Sequence, residues 1–144
     1  MKFLFAISLA LVSTCFAADL RRDEKWPPKA LLEFLEPIRL SCMGKTGVTA
    51  EAIKEFSDGE LHDDPKLKCY MNCVFNEAKV VDDKGDVHFE KIDTHIAQLD
   101  DEIRHIAENF LANCRSIKGD DPCERAFSVH KCWKLHDPKH YFLP

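Results

Sequence analysis

Six cysteines constrain this chain more than any other feature. Cys42, Cys69, Cys73, Cys114, Cys123 and Cys132 are separated by 26, 3, 40, 8 and 8 residues. A seventh, Cys15, falls in a different kind of segment. Lys2 is followed by the apolar run "FLFAISLALV", too short to cross a bilayer, which needs about 20 apolar residues. "STCFA" then places Cys15 and Ala17 before a cut. This pattern predicts a signal peptide over residues 1–17, cleaved after Ala17 or Ala18, and a single domain over 18–144. An even set of six cysteines in a secreted chain predicts three disulfides. Spacing alone leaves their pairing open.

Within "KLKCYMNC", Cys69 and Cys73 stand one helical turn apart. A regular helix holds such neighbours too far apart to bond each other. Each is therefore expected to staple its helix to a different segment. Two thiolates at this spacing would need two further ligands to hold zinc, and the secretory route oxidises thiols. The C-x2-C motif of thioredoxin-like redox sites is absent.

The segments between the cysteines carry apolar residues at three- and four-residue spacing, so the expected class is all-α. Pro28 opens a helix through Leu31, Leu32, Leu35, Ile38 and Cys42, with Pro37 expected to kink or restart it and Gly44 or Gly47 to end it. Thr49 caps "AEAIKEFS", which Asp58-Gly59 stops. Asp64-Pro65 opens a third helix bearing Leu67, Tyr70, Met71, Val74 and Ala78. "VVDDKGDVHF" reads as an irregular or hairpin-like turn. It lacks the spacing of a calcium-binding EF-hand loop. Phe89, Ile92, Ile96 and Leu99 make a fourth stripe, and Ile103, Ile106, Ala107, Phe110, Leu111 and Cys114 a fifth. Asp121-Pro122 opens a sixth, and "HDPKHYFLP" follows as a tail. No internal repeat or low-complexity block interrupts the domain.

Without residues 1–17 the chain carries 19 Lys+Arg against 25 Asp+Glu, a formal charge of −6. Nothing here forms the basic stripe that displaces counterions from nucleic acid, nor the Lys/Arg-rich face of a helix that lies on anionic lipid. No nucleic-acid partner and no stable membrane insertion are expected. Catalysis finds no support: Ser41, Ser57, Ser116 and Ser128 lie in no G-x-S-x-G elbow, and the histidines form no H-E-x-x-H. His136-Asp137 is the sort of pair small secreted phospholipases use. Here it sits beside Pro138 near the end of the chain, without adjacent cysteines. The chain is read as no enzyme, with no cofactor and no metal.

The cysteine intervals, above all the 3 and 8, resemble the six-cysteine signature of the insect odorant-binding protein family. "GKTGVTAEAIKEFSDGE", "KLKCYMNCVFNEAKVVDDKGDVH" and "HKCWKLHDPKHYFLP" are similar to its pheromone-binding-protein-related antennal branch. The likeness runs over nearly the whole chain after the leader. The segment from Phe89 to Asn113 is somewhat longer than in that branch and less like it. The resemblance implies disulfides Cys42–Cys73, Cys69–Cys123 and Cys114–Cys132, and a six-helix cage around an internal hydrophobic cavity. It also implies a secreted, non-catalytic carrier of odorants or pheromones in sensillar lymph, with a homodimer and an olfactory receptor as further partners.

Lining residues are expected from the late stripes and the tail: Phe89, Ile92, Ile96, Ile103, Ile106, Ala107, Phe110, Phe127, His130, Trp133, Tyr141 and Phe142. In that branch the tryptophan after the last cysteine faces the ligand, which implies the role for Trp133. A tail ending Tyr-Phe-Leu is expected to fold back over an apolar mouth. By resemblance, Arg39 or the Tyr70 hydroxyl would hold the carboxylate of Pro144. Acidification would then charge His130, His136 and His140, loosen this lid and free the ligand. His62, His88, His95 and His105 are given no role. Two other readings remain at this point: a saposin-like lipid-interacting protein, whose cysteines pair early with late, and a carrier of a non-olfactory lipid.

Overall fold

The computed structural model describes residues 19–115 and 117–144. The predicted leader with Cys15, and Ser116, lie outside them. Six helices run in chain order: α1 Lys29–Thr46, α2 Ala50–Asp58, α3 Pro65–Glu77, α4 Phe89–Ile96, α5 Asp101–Cys114 and α6 Pro122–His136. Among the described residues, an isolated antiparallel bridge between Val81 and Val87 makes the 80–89 segment hairpin-like.

The helix starts are set by side-chain oxygens that satisfy otherwise orphaned N–H groups. Thr49 accepts from the Ala52 amide at 3.1 Å and Asp64 from Lys66 and Leu67. Asp100 accepts from Ile103 at 3.0 Å and Asp121 from Glu124 at 2.9 Å. Pro65 and Pro122 open α3 and α6. Gly47, at φ +68°, ends α1, while Gly44 lies within it. Contrary to a restart at Pro37, α1 is one helix through that position. Pro37 and Glu33, four residues before it, both face outward, so the carbonyl that lost its N–H partner is open to solvent.

The three disulfides pair Cys42–Cys73, Cys69–Cys123 and Cys114–Cys132. Cys69 and Cys73 do go to different helices: α3 is tied to α6 by one and to α1 by the other, and α5 is tied to α6. The same helix pairs pack against each other. This crossed pairing removes the saposin-like reading, which requires early cysteines joined to late ones. Cys42, Cys73 and Glu77 stand close enough together to suggest metal ligands, but the two sulfurs are one disulfide and offer no thiolate.

Apolar burial forms two clusters. One joins α1, α2, α3 and the tail through Leu35, Ile38, Phe56, Leu67, Tyr70 and Tyr141. The other joins α4, α5 and α6 through Phe89, Ile96, Phe110, Leu111 and Val129. Phe75, Leu99 and Trp133 belong to the margin of both. Among the described residues no helix is long and apolar enough to cross a membrane.

Candidate functional site

Between the two clusters lies a cavity of about 250 Å³. Its walls come from every helix except α2. Leu31, Phe34 and Leu35 of α1 line it together with Val74 and Phe75 of α3 and Ala78, which caps that helix. Ile92 and Ile96 of α4, with Leu99, close another side. Ala107 and Phe110 of α5 meet Val129, His130 and Trp133 of α6. Trp26, Val80, Phe142 and Pro144 complete the lining, and half-exposed Phe34 shows that the chamber is open to one side. The walls are hydrocarbon almost throughout, so the chamber selects for apolar surface.

The tail forms one side of this chamber. After α6 the Asp137 carbonyl accepts from the His140 and Tyr141 amides, reversing the chain. Residues 140–144 are then pinned at three places. The Trp26 indole donates to the His140 carbonyl at 2.6 Å. The Leu143 amide donates to the Ser57 hydroxyl at 3.0 Å. The Tyr70 hydroxyl donates to the Pro144 main-chain oxygen. Burial pushes the Tyr70 phenol above its ordinary pKa, so it stays a donor. Tyr141, Phe142 and Leu143 are all buried.

Of the residues the sequence nominated, Ile92, Ile96, Ala107, Phe110, His130, Trp133 and Phe142 line the cavity. Phe89, Ile103, Ile106, Phe127 and Tyr141 do not, for reasons of helix phase in the first four and of the tail's path in the last. Phe89 is buried under the Arg115 guanidinium, 5.5 Å from its ring. Ile103 and Ile106 pack into the α1–α3 cluster. Phe127 turns towards Phe56 of α2, ring centres 5.7 Å apart, with the Lys68 ammonium over its face. Tyr141 stands behind the wall, fully buried, its hydroxyl 3.0 Å from His130 Nδ1.

For the latch, Arg39 and Tyr70 were alternatives. Arg39 does not reach Pro144. It stays on its own helix, bound to Glu36 at 3.1 Å and to the Met43 sulfur at 2.9 Å, the neighbours its three- and four-residue spacing provides. Tyr70 alone of the two nominated residues meets the tail. His130 is not a group that acid readily charges: complete burial lowers its pKa to about 3. His136 is exposed, and His140 lies 2.8 Å from the Asp137 carboxylate.

Sequence reasoning missed the α1 and α3 contributions, Leu31, Phe34, Leu35, Val74, Phe75 and Ala78, because it sought the cavity only in the later stripes. Trp26 was missed as well. Its signal was present: an indole beside two prolines in an otherwise charged stretch. The Trp26 ring stacks edge-on against Phe142 and Trp133, with centres 5.7 and 6.3 Å apart.

Several known proteins are similar to this chain. Odorant binding protein 4 of Chrysopa pallens superposes with a TM-score of 0.73 at 29% identity, over 86% of this chain and 100% of that one. The B1 protein of Tenebrio molitor is 32% identical over 114 residues, covering 77% of this chain and 83% of its own. General odorant-binding protein 69a of Drosophila melanogaster is 26% identical over 104 residues, 72% of this chain and 68% of that one. The sequence profile of the PBP/GOBP family matches residues 25–136. With its three crossed bridges and its apolar chamber, the chain belongs to the PBP/GOBP family.

Proposed function

We propose that this protein is a secreted, non-catalytic carrier. It takes small hydrophobic odorants or pheromones into the chamber between its two apolar clusters and delivers them to chemosensory receptors. The observation that carries the reading is the cavity itself. About 250 Å³ exceeds the roughly 150 Å³ hole that admits benzene and falls short of the low end of drug-sized pockets, near 300 Å³. That range suits a volatile molecule. Apolar contact supplies the affinity, at about 0.8 kcal/mol per buried methylene, so related ligands should differ only modestly. The leader-like residues 1–17 support secretion, and the names of the similar insect proteins support the olfactory setting.

Release upon acidification belongs to the same proposal, by a route that runs through His130. In the closed state the ring is dry and neutral. Tyr141 faces it from the tail and Phe75 from α3, with the Lys134 ammonium over the far partner, the Tyr141 ring, and burial is the single cause of its low pKa. Lifting the tail removes Tyr141 and admits water, and the ring returns towards about 6.5. Below that pH, protonation favours the open state.

The test is affinity for a fluorescent apolar probe at pH 7 and pH 5, for the full chain and for a chain ending at Lys139. The full chain should bind at pH 7 and weaken at pH 5, while the shortened chain binds poorly at both. Equal affinity in all four measurements would overturn the lid and its release. Failure of the full chain to take up any apolar probe would overturn the carrier.

A further inference from the structure

The chamber has a hard boundary and a soft one. Trp26 lines it from the segment ahead of α1 and is 3% exposed. Phe34 of α1 lines it too and is 50% exposed, so the lining meets solvent there. A ring packed on all sides does not yield to a guest, whereas a ring with solvent behind it can turn aside.

Trp26 is held by its ring and by its backbone. The indole N–H donates to the His140 carbonyl at 2.6 Å. The ring stands edge-on to His140, Phe142 and Trp133, with centres 6.1, 5.7 and 6.3 Å away. Its amide donates to the Asp23 carboxylate at 2.9 Å, and its carbonyl accepts from the Asp23 amide at 3.1 Å. Arg21 binds the same carboxylate at 2.6 Å and reaches Glu102 of α5 at 2.7 Å, where Lys25 joins it at 3.2 Å. Pro27 and Pro28 then fix the chain's direction into α1. Single exposed ion pairs add little stability. Here they fasten the turn that carries the indole onto α5. The plug comes from outside the six helices, so removing its ring lengthens the chamber and leaves the helix-to-helix packing and the three bridges in place.

Resting on the carrier reading, we infer that Trp26 is the stop that sets ligand length, and that the chamber takes a single-chain molecule with its end methyl against the Trp26 ring and its one polar group on the Phe34 side. The walls are hydrocarbon, so a polar group keeps its water only where the lining meets solvent. The ligand's chain then runs inward to the sealed boundary. Each added methylene tightens binding about four-fold while it still enters the chamber. Once the end methyl meets the indole, further length stays in water on the Phe34 side and adds nothing.

The experiment uses the full chain, Trp26→Ala and Trp26→Phe, with the linear methyl ketones from hexan-2-one to tetradecan-2-one displacing a fluorescent apolar probe. Affinity for the unaltered protein should climb about four-fold per carbon and then level off. In Trp26→Ala the climb should continue for about two carbons more, because the indole's area is that of several methylenes. Trp26→Phe loses the bond to His140 but keeps a ring. It should weaken the whole series and level off within about one carbon of the unaltered protein, which separates the stop from the fastening of the tail. Proton NMR of the decan-2-one complex gives a readout that needs no variant: the end methyl should show contacts to the Trp26 indole protons, and the methyl beside the carbonyl should show none. Levelling of Trp26→Ala at the unaltered length, or an end methyl without contact to the indole, overturns the inference while binding of the series leaves the carrier standing. Should Trp26→Ala not fold, the methyl–indole contact decides alone. If neither ketones nor probe bind the unaltered protein, the carrier reading falls and takes the stop with it.

Discussion

At the scale of single residues, His130 links the cavity to acid stability. Its folded pKa is about 3, against about 6.5 in an unfolded chain. Above pH 6.5 both states are neutral and the stability is fully present. As pH falls from there towards 3, the unfolded chain binds a proton the native ring refuses, and folding loses up to about 1.4 kcal/mol per pH unit. Urea unfolding of the protein and of His130→Phe at pH 7 and pH 5 isolates this contribution. The unaltered protein should lose about 2 kcal/mol more than the variant between those values. Equal losses would show that the ring titrates normally. Lys134 carries a related burden. Burial lowers its pKa, and its ammonium is held by the Ser57 carbonyl at 2.8 Å and lies over the Tyr141 ring at 5.1 Å.

At the scale of elements, the caps decide which faces the helices present. Asp121 fixes where α6 begins, and so sets Val129, His130 and Trp133 on the cavity side and Phe127 on the other. Asp121→Ala should cost about 1 kcal/mol in thermal or urea unfolding, with the apolar chamber retained in the folded fraction. No change in stability would mean that Pro122 and the Cys69–Cys123 bridge hold the start unaided. These caps explain how much was legible beforehand. Asp64-Pro65, Asp121-Pro122, Thr49 and Gly47 are local signals, each acting within one turn, and a chain read from one end shows them. Pro37 suggested a restart that does not occur, because its effect depends on which way it faces, which is a tertiary fact. The cavity was half legible for the same reason. Stripe residues such as Ile96, Phe110 and Trp133 show their apolar face, but Ile103 and Phe127 show the same pattern and pack as solid core. Periodicity marks burial without saying whether a void or a side chain lies opposite.

At the scale of the whole molecule, three bridges close loops with separations of 31, 54 and 18 residues, each stabilising by about 3–4 kcal/mol on the chain-entropy account. They connect α3 to α1 and α6 and α5 to α6, the elements around the hollow, where missing contacts would otherwise weaken the fold. The tail is bound differently, by hydrogen bonds and rings rather than sulfur, so it can part while the cage holds. It is not fastened to the cage alone. The Arg21 amide donates to the Lys139 carbonyl at 2.7 Å, the Trp26 indole to the His140 carbonyl, and the Arg22 guanidinium shares Ser57 with Leu143. The segment ahead of α1 and the segment after α6 are buttoned to each other, so guest departure is a two-handed event whose tempo is governed from both sides. Trp26→Phe keeps the aromatic bulk and undoes one button. Stopped-flow dilution of a preloaded fluorescent guest should then show a shorter residence time, by about five-fold, with the arrival rate little altered.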